Sequence, residues 1–308
     1  MKRVFENLRK KWQWLAAQAG FQRAPALIIF RLTAWGIRCI IRRATVVRLG
    51  RWNLSIYLPA RWKGVEKLIF VFREGYEPEL AYLERALSPG NTFVDVGANL
   101  GIYTLVASRI VGPSGRVIAF EPSAQSFSQL KANITLNGLT NVQVYPAAVS
   151  DKIGQAFLYH GSDPAQNSLG RDPRLEPKGE EVVTQSLDSA ISQASVGRVH
   201  VIKMDVEGAE ELVLRGADTV VTMHHPTIIF EINQDASTRL GLSPLGAWDL
   251  LNSFGYRFVS IRGNAVHEAK SLPTLGNVVA IYEPVERENL IDKGPRSAAV
   301  ACQLFVQD

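Results

Sequence analysis

Apolar positions near the start of the chain recur at helical spacing. Val4, Leu8, Trp12, Leu15 and Ala19 fall on one face of a predicted helix ending near Gly20. A second helix is predicted from Pro25, a residue tolerated in the first turn, through Leu27-Ile28-Ile29-Phe30 to about Arg43. Arg31, Arg38 and Arg42 lie seven and four residues apart, which predicts one basic face on it. These arginines interrupt the apolar run well before the roughly 20 residues a membrane span needs. A secretory signal is not expected either, since the run lies late and no small-residue cleavage site follows.

Beyond the head the period changes. Arg48–Leu58 reads as a strand pair, Pro59–Gly64 as a turn and Glu79–Leu87 as a helix stopped by Ser88-Pro89-Gly90. Short apolar runs then alternate with helical stretches. Strands are predicted at Thr92–Val96, Arg116–Phe120, Val142–Val149, Val199–Met204, Thr227–Ile232, Tyr256–Ile261 and Asn277–Tyr282. Helices are predicted at Ile102–Val111, around Phe127, Leu130 and Ile134, and at Glu210–Leu214. Continuous apolar strands separated by helices indicate an α/β fold, with a mostly parallel seven-stranded sheet covered on both faces. The expected organisation is a basic helical extension over 1–47, the sheet domain over 48–284 and a tail over 285–308. His160–Glu181 breaks the rhythm with three prolines and three glycines, and is read as a lid or binding loop.

Composition changes this picture in two places. With 46% hydrophobic and 20% charged residues, the 308-residue chain can bury a large core, which excludes disorder for its bulk. Only Cys39 and Cys302 are present, too few for a disulfide framework or a cysteine-rich zinc site. The net charge of +5 is concentrated: residues 1–50 carry eleven Lys or Arg against the single acid Glu6. Two readings of this head follow: a helical cap with solvated charges, or a surface contacting an anionic membrane. The rest of the chain offers no matching basic stripe, so a nucleic-acid partner is not expected. No lipidation motif is visible at either end. The expected location is cytoplasmic, with peripheral contact at the inner face of the membrane under the second reading.

The sharpest chemical signal is Phe93-Val94-Asp95-Val96-Gly97-Ala98-Asn99-Leu100-Gly101, an apolar strand that ends in an acid and turns through two glycines into a helix. Glu121 ends the next strand, 20 residues after Gly101, the spacing at which an acid reaches the ribose of a nucleoside held over the first loop. The third glycine of the dinucleotide pattern is replaced by Thr104, and no phosphate-gripping lysine follows the loop. A pyrophosphate therefore fits less well than a ligand with a cationic amino group, such as S-adenosylmethionine. A second constellation, Lys203-Met204-Asp205-Val206-Glu207-Gly208-Ala209-Glu210, places ionisable residues at the end of the fourth strand. Glu210 and Glu211 suit helix capping as well as function. Glu231 and Asn233 end the fifth strand and converge on the same crevice if the sheet is ordered as expected.

These motifs, with Phe120-Glu121-Pro122, Asn133 to Asn141, Ala147 to Asp151, Ser186-Leu187-Asp188 and Phe230-Glu231-Ile232, resemble the FkbM family of S-adenosylmethionine-dependent methyltransferases over about residues 75–260. Met204 stands where the family often has Ile or Leu, and the motif survives it. The resemblance implies a Rossmann-like methyltransferase sheet and O-methylation of a hydroxyl on a sugar, lipid or secondary-metabolite acceptor. It implies a cofactor held against Asp95, Gly97, Asn99, Gly101 and Tyr103, with Glu121 on the ribose and Val149, Ser150 and Asp151 near the adenine. Asp205 or Glu207 is then the expected base, with Lys203 holding that carboxylate or the substrate. No metal ligand is assigned, although Asp205, Glu231 and Asn233 offer oxygens that suit a divalent cation. The competing functions are a nicotinamide-dependent oxidoreductase and a membrane-associated binding protein that keeps the fold without turnover. His160, His200, His224 and His225 are secondary candidates.

Overall fold

The computed structural model describes residue 9 and residues 12–262, 265–269, 271–273 and 275–283. The apolar positions Val4 and Leu8, Cys302 and the tail after Pro284 lie outside them. Residues 12–17 are helical and the chain bends at Gln18; after this come α1 (Ala19–Arg23), α2 (Pro25–Ile40), a hairpin of β1 (Thr45–Leu49) and β2 (Leu54–Leu58), α3 (Val65–Phe72) and α4 (Pro78–Ala86). The alternating region follows as β3 (Thr92–Val96), α5 (Ile102–Val111), β4 (Arg116–Phe120), α6 (Ala124–Leu136), β5 (Val142–Tyr145), β6 (Ala147–Val149), β7 (Gly154–Tyr159) and β8 (Gly179–Gln185). It continues with α7 (Leu187–Gln193), β9 (Val201–Met204), α8 (Glu210–Arg215), α9 (Asp218–His224), β10 (Thr227–Asn233), α10 (Gln234–Arg239), α11 (Gly246–Ser253), β11 (Tyr256–Arg262), β12 (Ala265–Glu268) and β13 (Leu275–Tyr282).

The main sheet has the order β12-β11-β13-β10-β9-β3-β4-β5. Strands β10, β9, β3, β4 and β5 are parallel, and β13 inserts antiparallel between β10 and β11. The seven expected strands are present, and β12 adds an eighth at the edge. Because side chains alternate across a strand, neighbouring residues enter opposite cores. Phe93, Val117, Val201 and Ile229 pack with α4, α5 and the β1–β2 hairpin on one face. Val94, Ile118, Ile202 and Ile228 pack with α7, α8 and α9 on the other. The sheet is thus buried on both sides, as its continuous apolar strands require.

Three sequence expectations are corrected. The run Val142–Val149 is two strands, because Pro146 has no N–H to continue the ladder beside β4. After it, β6 pairs with β8 in a separate three-stranded sheet, β6-β8-β7. The irregular stretch is shorter than His160–Glu181, since β8 already begins at Gly179. Helix α2 stops at Ile40 rather than near Arg43. Arg42 is left-handed (φ 53°), and the Arg43 N–H donates to the Arg38 carbonyl at 2.9 Å, a Schellman ending.

The N-terminal helix α2 packs into the first core through Ile28, Trp35 and Cys39. Its arginines do not form the expected solvated face. Arg31 donates to the Val71 carbonyl at 2.8 Å, and the Arg38 guanidinium lies over the Phe70 ring at 5.8 Å. Both turn toward α3, whose last carbonyls and aromatic ring receive them.

Candidate active site

The loop after β3 is shaped by two glycines in the left-handed region. At Gly97 (φ 82°) a Cβ would lie 1.9 Å from the Asp205 carbonyl oxygen, so only glycine lets the end of β9 approach this loop. At Gly101 (φ 97°) a Cβ would lie 2.5 Å from Leu130 Cδ1 of α6. The backbone N–H of Asn99 donates to Glu121 Oε2 at 2.8 Å, and that of Ser123 donates to Oε1 at 2.9 Å. The carboxylate is thereby fixed at the end of β4. Burial pushes the Glu121 carboxyl up to about 7, against the pull of these two N–H groups. Asp95, fully inside β3, accepts from Thr104 Oγ1 at 2.5 Å, and burial pushes it up to about 6. Asn133 locks the loop from below: its Nδ2 donates to the Leu100 carbonyl at 2.9 Å, while its Oδ1 accepts from the Tyr57 N–H at 2.8 Å.

These groups open onto a cleft of about 310 Å³. Asp95, Gly97, Asn99, Tyr103, Glu121 and Val149 line it, together with Lys203, Asp205 and Glu207. Gly101, Ser150 and Asp151, also expected at the cofactor, are not among its lining residues. Gly101 serves the turn. Ser150 is buried behind the wall, where its N–H donates to the Gln185 carbonyl at 2.9 Å.

Lys203 is the centre of the second constellation. Its ammonium is 1% exposed, donates to the Met204 carbonyl at 3.2 Å and to Asn277 Oδ1 at 3.3 Å, and stands 3.6 Å from Asp205 Oδ2. It also lies 5.3 Å from the Tyr103 ring centroid. Burial works to lower its pKa, but Asp205, Glu77, Glu231 and Asp95 outweigh burial and raise it. The ammonium therefore stays charged inside a ring of acids. Glu207 holds a left-handed backbone (φ 51°), a strained state for a non-glycine residue. Burial, then Asp205 and Glu210, push its carboxyl up to about 8. Burial and the same acidic neighbourhood raise Glu231, whose Oε2 is buried without a hydrogen-bond partner.

The alternative oxygen set Asp205, Glu231 and Asn233, to which no metal is assigned, changes at one member. Asn233 Nδ2 donates to Glu207 Oε2 at 3.2 Å and its Oδ1 caps α10 by accepting from Ala236 N–H, so both ends are engaged. Carboxylate oxygens of Asp205, Glu207 and Glu231 instead lie within 4.8 Å of one another. Glu210 braces the loop ahead of its own helix: its Oε1 accepts from the Val206 N–H at 3.2 Å. The histidines are structural or peripheral. His200 and His224 each accept a backbone N–H through Nδ1, His225 stacks on Tyr282, and His160 pairs with Glu180 at the surface.

Sequence reading missed Glu77 and Asn277. Glu77 precedes Pro78 at the start of α4, where it reads as an ordinary helix entry. In the fold it accepts a hydrogen bond from the Tyr103 hydroxyl, lines the cleft and faces Lys203, and burial raises its pKa. Asn277 arrives from β13, inserted antiparallel beside β10, a pairing no local pattern encodes. The stretch between β7 and β8 stands over the cleft. Gln166, Asn167 and Leu169 line it, Asp163 Oδ2 accepts from the Gly64 N–H at 2.7 Å, and Ser168 Oγ donates to the Glu207 carbonyl at 2.8 Å.

A family model described as the methyltransferase FkbM domain matches residues 95–258, more than half of the chain. The chain belongs to this family. FkbM methyltransferases take S-adenosylmethionine as methyl donor, which leaves no place for the nicotinamide reading. Among curated relatives, the 31-O-demethyl-FK506 methyltransferase FkbM of Streptomyces tacrolimicus is 27% identical over 243 residues, 67% of this chain and 90% of that protein. The AMB antimetabolite synthetase AmbE of Pseudomonas aeruginosa is 28% identical over 239 residues, 65% of this chain but only 11% of that protein. A solved FkbM methyltransferase from Methylobacillus flagellatus aligns over 71% of this chain and 54% of that chain, with 16% identity and a TM-score of 0.41.

Proposed function

We propose that the chain is an S-adenosylmethionine-dependent O-methyltransferase acting on a hydroxyl of a polar sugar, lipid or secondary-metabolite acceptor. The observation that carries this reading is that Glu207 lines two cavities at once. One is the cleft of the glycine loop. The other, of about 330 Å³, is walled by polar side chains including Arg171, Asp172, Asp235 and Arg239. A hydroxyl-rich acceptor suits the second cavity, and Glu207 then stands between acceptor and donor.

The donor's chemistry fits the cleft. Its buried carboxyls, raised by burial, favour a ligand carrying positive charge, and Glu231 Oε2 lacks a partner there. Asp95 and Glu121 are the groups for its amino and ribose ends, while Ala147–Val149 form an apolar wall. When bound, S-adenosylmethionine supplies the methyl carbon: the C–O bond forms as the C–S bond breaks, leaving the neutral thioether. Glu207, held near neutral pH by its surroundings, takes the hydroxyl proton. Lys203 holds Asp205 beside it. Alignment of the acceptor oxygen against the methyl carbon supplies the remaining advantage.

The test is methyl transfer from labelled S-adenosylmethionine across a panel of sugar, lipid and macrolide alcohols. Glu207→Gln should lower kcat by roughly 100-fold or more while S-adenosylhomocysteine binding persists. Full turnover in that variant removes Glu207 as the base.

A further inference from the structure

Helix α2 is apolar on both sides, and only one side is covered. Ile28, Trp35 and Cys39 face the core. On the opposite face, Phe30, Ile37, Ile40 and Ile41 are exposed, Phe30 at 68% and Ile40 at 72%. An uncovered apolar face on a helix whose opposite face is already packed in the core marks a contact surface for lipid or a partner. Among the described residues no helix is long and apolar enough to cross a membrane. The alternative is a helix lying in the interface plane, one face on the protein and the other in the acyl boundary.

The surroundings match that geometry. Trp62, 62% exposed, lies against Gly36 on the same helix: a Cβ there would be 3.9 Å from its ring. The loop carrying Trp62 is tied down by the Trp35 Nε1–H, which donates to the Arg61 carbonyl at 2.9 Å. Tryptophan prefers the membrane–water interface. Between Glu6 and Glu66 the sequence holds twelve Lys or Arg and no acid. Arg23, Arg42, Arg43 and Lys63 are exposed, the first three just before and after α2 and the last next to Trp62 in the chain. A second copy docking here would set two cationic rims against each other, which opposes association. An anionic lipid surface meets both the apolar face and the rim.

We propose that the outer face of α2, with Trp62 and its cationic rim, docks on an anionic membrane surface. The interaction is peripheral: the apolar side chains insert among the acyl chains while the rim stays at the headgroups. It does not depend on methyl transfer. It would hold the cleft near lipid, since Gly64, two residues beyond Trp62, lines the cleft wall.

The experiment is co-sedimentation of the full chain with phosphatidylcholine vesicles with and without about 30% phosphatidylglycerol. Wild type should partition at least about tenfold more strongly onto the anionic vesicles, and added salt should weaken it. The double substitution Ile37→Glu/Ile40→Glu should lose at least about tenfold of this binding while keeping the wild-type melting temperature. Met223→Glu, at an exposed apolar position on α9, should bind as wild type does. Trp62→Ser lies outside the helix and should weaken binding in the same direction, which covers a double variant that misfolds. The proposal is overturned by absent binding, by equal binding to neutral vesicles, by full binding of the folded double variant, or by a wild-type dimer that the double variant dissociates.

Discussion

Replacing Lys203 with methionine keeps most of the side-chain volume and removes one buried positive charge. The consequences follow from what surrounds it. The ammonium is 1% exposed, 3.6 Å from Asp205, and acted on by Glu77, Glu231 and Asp95. Asp205 is partly solvated, so its pairwise attraction is weakened by screening. The larger effect is that several enclosed acids lose their shared counter-charge. Breaking a buried charge pair from one side costs about 3–5 kcal/mol. At about 2–4 °C per kcal/mol for a chain of this size, the melting temperature should fall by roughly 6–20 °C. The loss should also depend on pH. Without Lys203 the folded-state pKa values of Asp95 and Glu77 climb further above their unfolded values. The folded state then takes up more protons, and stability is lost as pH rises through the folded pKa values. Thermal melts at pH 5.5 and pH 8 measure both effects, and the deficit should be larger at pH 8. An unchanged melting temperature at pH 8, or an equal deficit at both values, would refute the picture of Lys203 as the charge that holds the acids together.

The ligand-free wild type should itself lose stability between about pH 4 and pH 8. Asp95 is raised to about 6, Glu79, Glu121 and Glu210 to about 7, and Glu207 to about 8, all by burial first. Their unfolded values lie near 4, so the folded state binds more protons throughout that window and stability falls as pH rises; melting temperatures that increase across it contradict these environments. For the same reason S-adenosylmethionine binding at pH 7 should release protons, visible as a dependence of the calorimetric heat on the buffer's ionisation enthalpy, and a buffer-independent heat would count against cationic contacts with these acids. Gly97→Ala should abolish cofactor binding and lower the melting temperature, because its Cβ overlaps the Asp205 carbonyl; cofactor affinity within about twofold of wild type (about 0.4 kcal/mol) would contradict the close approach.

What the sequence disclosed and what it hid divide along the range of the interactions. The loop Asp95–Gly101 and the position of Glu121 are local: an apolar strand, two glycines and an acid one crossover later place themselves. The end of β9 was legible for the same reason, and the contact between Gly97 and Asp205 joins the two motifs. Glu77 and Asn277 were not, because each reaches Lys203 from an element distant in sequence. The break at Pro146 was visible as a residue, yet its consequence, the departure of β6 to pair with β8, depends on a strand that begins inside the stretch read as loop and meets β6 through Val183–Gln185 just beyond it. The arginines of α2 show the limit of periodicity. Spacing put Arg31 and Arg38 on one face correctly, but could not say that this face turns toward Val71 and Phe70 and leaves the isoleucines outside.

The central claim is that the cleft between the glycine loop and the acids of β9 binds S-adenosylmethionine for methyl transfer. Calorimetric titration with S-adenosylhomocysteine, on wild type and on a folded Glu121→Ala variant, tests it most directly. The account predicts micromolar binding, about −8 kcal/mol, weakened at least tenfold, about 1.4 kcal/mol, by the substitution. Absence of binding to folded wild type, or equal binding to both proteins, would contradict it.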